Sequence, residues 1–142
     1  MTAPTIEEAV RLLHSSDYTI AIISASGERF TSRERGVATL MRLLAEQSEL
    51  LRGAVVADKV VGRAAAALLV VGSCRRLHTA VLSRGGEQML RGSEVEYSYD
   101  TLTEAIINRR GDGLCPMEEA TSAAQTPEEA YAILKEVFKA KQ

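Results

Sequence analysis

The residue with the clearest capacity for covalent chemistry is Cys115, which stands directly before Pro116 at the start of a predicted helix. A thiol at a helix N-terminus, with Arg109 and Arg110 a few residues upstream, is in a setting that favours the reactive thiolate. Glu118 would act there as an acid or base, or would cap its own helix start instead. The alternative is a buried, unreactive cysteine that packs the last helix onto a sheet, because free cysteine is among the most buried residue types.

Asp58 and Lys59 follow a predicted strand and precede a predicted helix, a loop position at which α/β proteins often carry functional groups. We include both as residues that would assist a Cys115 nucleophile. The alternative is a solvated pair in a surface turn. His78, the obvious general base, falls in mid-strand, and His14 falls near the end of the first helix. The sequence alone does not determine whether either histidine lies beside Cys115, so a Cys-His dyad stays an open alternative.

Two glycine-containing turns open predicted helices and indicate a binding site for an anion. The first is Gly62-Arg63 and the second is Ser83-Arg84-Gly85-Gly86. Backbone amides and the positive dipole end of a helix suit a phosphate or carboxylate, and arginine adds bidentate hydrogen bonds. In an open α/β sheet both helix starts would face one cleft at the carboxyl ends of the strands. Asn108 and Arg109, in a charged loop, complete the predicted ligand-binding set. The alternative is that the glycines only make tight turns and the arginines are solvated.

Composition and charge argue against several classes of partner. The chain has 142 residues, with 17 Lys+Arg against 19 Asp+Glu and a net charge of −2. A dedicated nucleic-acid or membrane-surface binder would carry a basic excess. With no Trp, two Phe and four Tyr, the chain also has little material for stacking bases. The longest apolar run, residues 64–71, is too short to span a membrane. We expect neither nucleic acid nor a membrane as partner.

The cysteine content and the N-terminal residues indicate a reducing compartment. Two cysteines, Cys74 and Cys115, cannot form a disulfide framework. Residues 1–8 carry two acidic side chains and no basic region of the kind that opens a secretory signal. We therefore expect a cytoplasmic protein with two free thiols.

Hydrophobic periodicity predicts alternating helices and strands that would position these groups. Strands are expected at residues 18–23, 29–31, 54–57, 77–82 and 95–99. Helices are expected at 5–15, 33–47, 62–71, a short stretch through Leu90, a stretch from Asp100 or Thr101 to about Ile107, a stretch from Cys115-Pro116, and a closing stretch from Thr126.

Strands that alternate with helices imply crossover units and a largely parallel sheet covered on both faces. The first two strands, joined by a short turn at residues 24–28, would form a hairpin at one edge. We predict a single domain over residues 1–142. Its fold class is α/β, a three-layer α/β/α sandwich with a mixed sheet of about five strands.

The predicted order of helix, hairpin, helix, strand, helix, strand, helix, strand and helix resembles the cytidine deaminase-like fold. The resemblance is more specific at residues 58–66 and at Asn108-Arg109-Arg110 leading to Cys115-Pro116-Met117-Glu118. These stretches look like a bacterial family of small, zinc-less deaminase-like proteins labelled only as a domain of unknown function. The similarity covers nearly the whole chain, and it implies a fold but no reaction.

Zinc deaminases bind the metal through a His or Cys before a core helix and two Cys in a Pro-Cys-x-x-Cys turn, while a nearby Glu shuttles protons. Here residues 62–65 contain no such ligand and no glutamate, and residues 83–87 contain no cysteine. The two His and two Cys of the chain are not at ligand spacing. We predict no metal, no other cofactor and no zinc-dependent deamination.

Three functional hypotheses follow from these observations. The first is a binding module that holds a small anionic or nucleotide-like ligand on the Gly62 and Gly85-Gly86 turns. The second is an enzyme with Cys115 as its nucleophile. The third is a structural or regulatory protein without a site, which predicts a homo-oligomer or a hetero-complex through an apolar helix face.

Overall fold

A computed structural model of the chain describes residues 3–107, 111, 113 and 115–140. Within them the chain forms five strands, six α-helices and a short 3-10 turn at Ser48–Leu50. The strands are β1 (Ile20–Ile23), β2 (Arg29–Ser32), β3 (Val55–Val61), β4 (Arg76–Ser83) and β5 (Glu96–Thr103). The helices are α1 (Ile6–His14), α2 (Gly36–Glu46), α3 (Arg63–Val71), α4 (Arg84–Arg91), α5 (Pro116–Thr121) and α6 (Pro127–Ala140). No helix of the described residues is long and apolar enough to cross a membrane.

The strands form one mixed sheet in the order β2-β1-β3-β4-β5. β1 runs antiparallel to both of its neighbours, and β3, β4 and β5 are parallel. The hairpin of β1 and β2 closes through a tight turn in which Gly27 takes φ +94°, a conformation that favours glycine. The predicted mixed five-stranded α/β fold, with a hairpin at one edge, is confirmed.

Two apolar clusters lie on opposite faces of the sheet. On one face α1 packs Ile6, Ala9 and Leu13 against β1 and β3. On the other face α2, α3, α4 and α6 share a larger core with the same sheet. Helix α3 lies at the centre of this layer, because residues 64–69 are all buried and four of them are alanines that permit close packing. Helix α3 contacts α2, α4, α5 and α6, so its N-terminus is surrounded by other elements.

Helices lie on both faces of the sheet, and α1 covers its face chiefly over β1 and β3 and less over β4 and β5. On the α1 side these two strands carry polar side chains that pair across the ladder. His78 Nδ1 lies 2.8 Å from Ser98 Oγ, and His78 Nε2 lies 3.4 Å from Asp100 Oδ1. His78 is thus a half-buried strand residue with polar partners, and it lies outside the lining of the cavity described below.

The helix predicted from Asp100 or Thr101 to about Ile107 is wrong, because β5 runs through residues 96–103. Asp and Thr are common helix caps, but Thr and Tyr also favour strands, and this segment alternates them. Pairing with the adjacent strand β4 favours the strand over the helix, because the parallel ladder continues as far as Ser83 opposite Thr103. Residues 104–106 are not helical either.

The prediction that Asp58 and Lys59 form a loop after a strand is also wrong. Both lie within β3, where Asp58 pairs with Ile20 of β1 and Thr79 of β4. The two charged residues end the run of apolar residues that predicted the strand. The pairing with β4 nevertheless continues past them, with Val60 opposite Val81. Asp58 is therefore held inside a five-stranded sheet and is only 3% exposed.

Candidate functional site

One cavity of about 580 Å³, here called the main cavity, gathers side chains from several distant segments of the chain. Its size lies within the range of small-molecule sites, about 300–1,000 Å³. Its polar lining consists of Thr19, Arg35, Asp58, Lys59, Cys115 and Glu118. Its apolar lining includes Val37, Val60, Ala64, Ile106, Ile107 and Met117.

The main cavity forms where β3 leads into α3, between the starts of α2, α3 and α5. Residues at the starts of three helices therefore line it, and the N-terminus of a helix carries a partial positive charge. Two large apolar side chains of the lining are unusually exposed: Val60 by 45% and Ile107 by 54%. Exposed apolar surface next to convergent polar groups is typical of a ligand site.

Asp58 is the most buried charged residue of the main cavity. Its Oδ1 accepts a hydrogen bond from the Val60 N–H at 3.3 Å, whereas Oδ2 has no partner among the described residues. Burial raises the pKa of the Asp58 carboxyl from its ordinary 3.8 to about 7, against the lowering effect of backbone hydrogen bonds from Val60 and Lys59. Asp58 is therefore a carboxyl group that changes its protonation state near neutral pH.

Glu118 occupies the N-terminus of α3. Its Oε1 accepts a hydrogen bond from the Arg63 N–H, the first amide of that helix. A Cβ at Gly62 would overlap this carboxylate, so the lack of a side chain at Gly62 makes the contact possible. Burial raises the pKa of the Glu118 carboxyl, opposed by the hydrogen bond from Arg63 and by the Arg63 charge. The anion at this helix start is thus the protein's own.

The start of α2 is close to Asp58. A Cβ at Gly36 would lie 3.0 Å from Asp58 Oδ2, so a glycine here leaves room for that carboxyl. Arg35 precedes the helix and provides no side-chain cap. Thr19 fixes this segment, because its hydroxyl donates hydrogen bonds to the backbone oxygens of Ser32 and Glu34.

The second glycine-rich turn, residues 83–86, lies outside the lining of the main cavity. Ser83 Oγ accepts a hydrogen bond from the Gly86 N–H at 3.0 Å and so caps α4. A Cβ at Gly86 would lie 3.0 Å from Gly62 O, and one at Gly85 would lie 3.0 Å from Arg63 Nε. Arg84 is exposed and pairs with Glu104 at 2.6 Å. These four residues pack and cap α4 next to α3.

Arg63 also turns away from the main cavity, although it begins α3. Its guanidinium donates to Ala124 O at 3.1 Å and to Gln88 Oε1 at 2.6 Å, and it lines a separate cavity of about 450 Å³. Both cations of the predicted glycine turns, Arg63 and Arg84, are therefore engaged by protein groups.

Five of the twelve site residues predicted from the sequence line the main cavity together: Asp58, Lys59, Gly62, Cys115 and Glu118. Cys115 is half-buried, precedes α5, and donates its N–H to Ile106 O at 2.8 Å. Asn108 and Arg109 lie outside the described residues. The roles assigned to all of these residues stay predictions.

Sequence reasoning missed Thr19, Arg35, Gly36 and the apolar pair Ile106 and Ile107. The signal for Gly36 was present, since a glycine directly before an apolar stripe can begin a helix. The apolar pattern predicts a helix start near residue 33, which makes Gly36 an interior position of the predicted helix. Ile106 and Ile107 were assigned to the helix that proved to be β5 and the segment after it.

The remaining cysteine is structural. Cys74 is buried in the core under α3, and burial raises the pKa of its thiol to about 12. Among the described residues no group of three or more His, Cys, Asp or Glu side chains is arranged to hold a metal ion.

The family model of TM1506, domain of unknown function DUF1893, matches residues 8–138 of the chain. The chain belongs to the DUF1893 family. A crystal structure of a DUF1893 family protein (TM1506) from Thermotoga maritima superposes with a TM-score of 0.82. The two chains are 25% identical, and the similarity covers 92% of this chain and 88% of that chain. No curated protein matches the sequence.

The DUF1893 match includes every residue that lines the main cavity, from Thr19 to Glu118. The cavity is therefore part of the family domain, not of a segment added to it. The family description assigns no ligand and no reaction. What the domain does must be inferred from the chemistry of the cavity itself.

Proposed function

We propose that this DUF1893 domain binds a small organic molecule in the main cavity, with Asp58 as the buried polar contact. The observation that carries the proposal is Asp58 Oδ2, which is buried at the cavity without a hydrogen-bond partner among the described residues. Leaving a buried polar atom unpaired costs about 1–3 kcal/mol. A ligand that forms a hydrogen bond with this oxygen would recover that free energy on binding.

The apolar lining supports the same proposal. Val60 and Ile107 expose large hydrocarbon surfaces at the cavity, next to Ile106 and Met117. Burying such surface under a ligand is favourable by about 25 cal/mol per Å². A molecule with an apolar body and one polar group facing Asp58 fits this combination.

The proposal narrows the hypothesis that came from the sequence. A ligand at the Gly62 side of the site is retained, because Gly62 lines the main cavity. A ligand on Gly85 and Gly86 is not retained. The Gly86 N–H already donates to Ser83 Oγ, and the Arg63 side chain packs against Gly85. Glu118 likewise occupies the first amide of α3.

We also retain the cytidine deaminase-like fold as a proposal. Its support is the observed order of α1, the β1–β2 hairpin, α2, β3, α3, β4, α4 and β5, which matches the predicted order as far as β5; the next helix is α5 and not the one predicted near residues 100–107. Under this proposal the domain keeps the cleft at the starts of its helices but not the ligands of a zinc site.

Location and partners are proposals of the same kind. Two free cysteines support a reducing, cytoplasmic compartment. The net charge of −2 speaks against nucleic acid as a partner. A homo-oligomer would be tested by light scattering of the purified chain.

Thermal unfolding against a panel of small molecules tests the binding proposal. The panel contains nucleosides, nucleotides, and small aromatic acids with their amides. A compound that binds the folded protein raises its unfolding midpoint by mass action. We expect at least one member to do so for the wild type and for Leu12→Trp, which changes a half-buried residue of α1 away from the cavity.

Val60→Trp, which fills the mouth of the main cavity, should abolish the response. Because Val60 is 45% exposed, the larger side chain does not have to enter the hydrophobic core, and the domain should still fold. A flat panel for the wild type, or an undiminished response in Val60→Trp, would overturn the proposal.

A second candidate function is a cysteine-dependent enzyme. The observation that favours it is that Cys115 lines the same cavity as Asp58, Lys59 and Glu118. The thiol would act as the nucleophile, and one of the two carboxylates would accept its proton. The test is the rate of Cys115 alkylation by iodoacetamide as a function of pH, with Cys115→Ser as the blank for Cys74. A rate profile like that of an ordinary cysteine, with a midpoint near pH ~8.5, would remove this candidate.

A further inference from the structure

We propose that the ligand of the main cavity is a small organic anion, and that Arg35, Lys59 and the first amides of α2 receive its carboxylate or phosphate group. This inference rests on the proposed function, because it names the class of molecule that the cavity takes. It moves the anion site from the starts of α3 and α4, where the sequence suggested it, to the start of α2.

The first observation is the state of the α2 N-terminus. Gly36 and Val37 line the main cavity, and their N–H groups donate to no acceptor among the described residues. Arg35 supplies no side-chain cap, and the first turn contains no acidic residue. At the start of α3, by contrast, Glu118 already supplies a carboxylate. The α2 start therefore offers amide donors that no described residue occupies, at a positive dipole end with no acidic residue in its own first turn.

The second, independent observation is the unpartnered Asp58 Oδ2. This atom is buried, belongs to a residue that is 3% exposed, and lies against Gly36 at the same helix start. A buried oxygen without a partner, packed against the first residue of a helix whose first amides have no acceptor among the described residues, indicates that a further polar group completes the arrangement. A ligand oxygen between them would accept from the amides and share a proton with Asp58.

The charges around the opening favour an anion. Arg35 and Lys59 are exposed, line the main cavity, and form no ion pair with any described residue. Glu34, the acidic residue next to Arg35, is engaged by Arg42 at 3.3 Å. Two cations without ion pairs therefore stand at residues that line the main cavity, and such cations form charge-assisted hydrogen bonds with a carboxylate or phosphate.

Asp58 is compatible with an anion because it can be neutral. Burial raises the pKa of its carboxyl to about 7, so below that pH the protonated form donates a hydrogen bond instead of repelling a negative charge. The other titratable or charged groups of the described lining are Arg35, Lys59, Cys115 and Glu118. Of these only Glu118 is a second carboxylate that would repel an anionic ligand, and its Oε1 accepts a hydrogen bond from the first amide of α3.

Matched neutral and charged probes test this inference. Benzoate is compared with benzamide, and adenosine monophosphate with adenosine, by isothermal titration calorimetry of the full chain at about pH 6, below the Asp58 midpoint. We expect each anion to bind about tenfold more tightly than its neutral partner, the effect of a helix dipole with a charged hydrogen bond. Inorganic phosphate, without an apolar body, should bind more weakly than the organic phosphate.

The double variant Arg35→Gln with Lys59→Gln should remove the preference for the charged probe. Its matched control is Arg29→Gln with Lys139→Gln, which changes the net charge equally at two exposed positions outside the cavity. Both double variants are exposed substitutions, and circular dichroism verifies that each one folds. The control should keep the tenfold preference.

Failure of this inference is distinguishable from failure of the proposed function. If no probe binds the wild type, cavity binding itself is refuted. If benzamide and adenosine bind as tightly as benzoate and adenosine monophosphate, the cavity binds ligands but the anion inference is overturned. The same holds if the Arg35 and Lys59 double variant keeps the preference of the wild type.

Discussion

Replacing Asp58 by Asn should make the domain more stable at alkaline pH and leave it nearly unchanged in acid. In the folded protein the Asp58 carboxyl titrates at about 7, whereas in the unfolded chain it titrates at its ordinary 3.8. The folded state therefore holds a proton that the unfolded state has already released. The stability contributed by that proton is complete below about pH 4 and is lost as the pH rises through 7.

The size of the effect follows from the two pKa values. Each pH unit between 3.8 and about 7 corresponds to about 1.4 kcal/mol, so ionisation of Asp58 costs the folded state about 4 kcal/mol by pH ~8. That is a large part of the 5–15 kcal/mol that typically stabilises a domain. The amide introduced by Asp58→Asn carries no charge at any of these pH values, and its oxygen could still accept the 3.3 Å hydrogen bond from Val60.

Urea unfolding followed by circular dichroism measures this difference at about pH 5, 6, 7 and 8. The free energy of unfolding of Asp58→Asn minus that of the wild type should rise by about 1.4 kcal/mol from pH ~5 to pH ~6, rise less from there to pH ~7, and level off by pH ~8. Glu94→Gln, an exposed substitution of the same kind, should run parallel to the wild type. If Asp58→Asn also runs parallel to the wild type, Asp58 has an ordinary pKa and the description of the main cavity fails.

The remaining predictions concern the starts of α3 and α4 and use the same urea measurement. Gly62→Ala forces the new methyl group into the Glu118 carboxylate and should cost about 1–3 kcal/mol, whereas Gly92→Ala, with open space around it, should cost less than half as much. Glu118→Ala leaves the first amide of α3 unpaired and should cost about 1–3 kcal/mol, while Glu118→Gln should recover most of that loss. Ser83→Ala removes the cap of α4 and should cost about 1 kcal/mol. If Gly62→Ala is as stable as Gly92→Ala, the close approach of Glu118 to Gly62 is refuted. Equal stability of Glu118→Ala and Glu118→Gln would refute the hydrogen bond to the α3 amide, and a Ser83→Ala variant as stable as the wild type would refute the α4 cap.

The sheet and most helices could be predicted from the sequence because their signals are local. The capping sequence at Thr5, the β-branched run of β1 and the helical stripe of α6 each depend on neighbours within a few residues. Prediction failed at residues 100–107, where Asp and Thr suit a helix cap as well as a strand. The hydrogen bonds to β4, which are distant in sequence, decide that case.

The candidate site was only partly predictable for the same reason. A glycine before a helix can leave room for a ligand or for another part of the protein, and the sequence does not distinguish the two. At Gly62 the space is taken by Glu118, which is 55 residues away from Arg63, and at Gly86 it is taken by the backbone of Gly62. The position of Asp58 within β3, and so its burial, depends on the pairing of β3 with β1 and β4.

The most direct test of the account is a titration of the labelled chain with benzoate at about pH 6, followed by amide proton–nitrogen NMR spectra. The amides of Gly36 and Val37 and that of Asp58 should shift together and saturate with one dissociation constant. The amides of Gly85 and Gly86 should not move. No saturable shift, or a shift centred on Gly85 and Gly86, would contradict the proposal that the start of α2 in the main cavity receives the anionic group of the ligand.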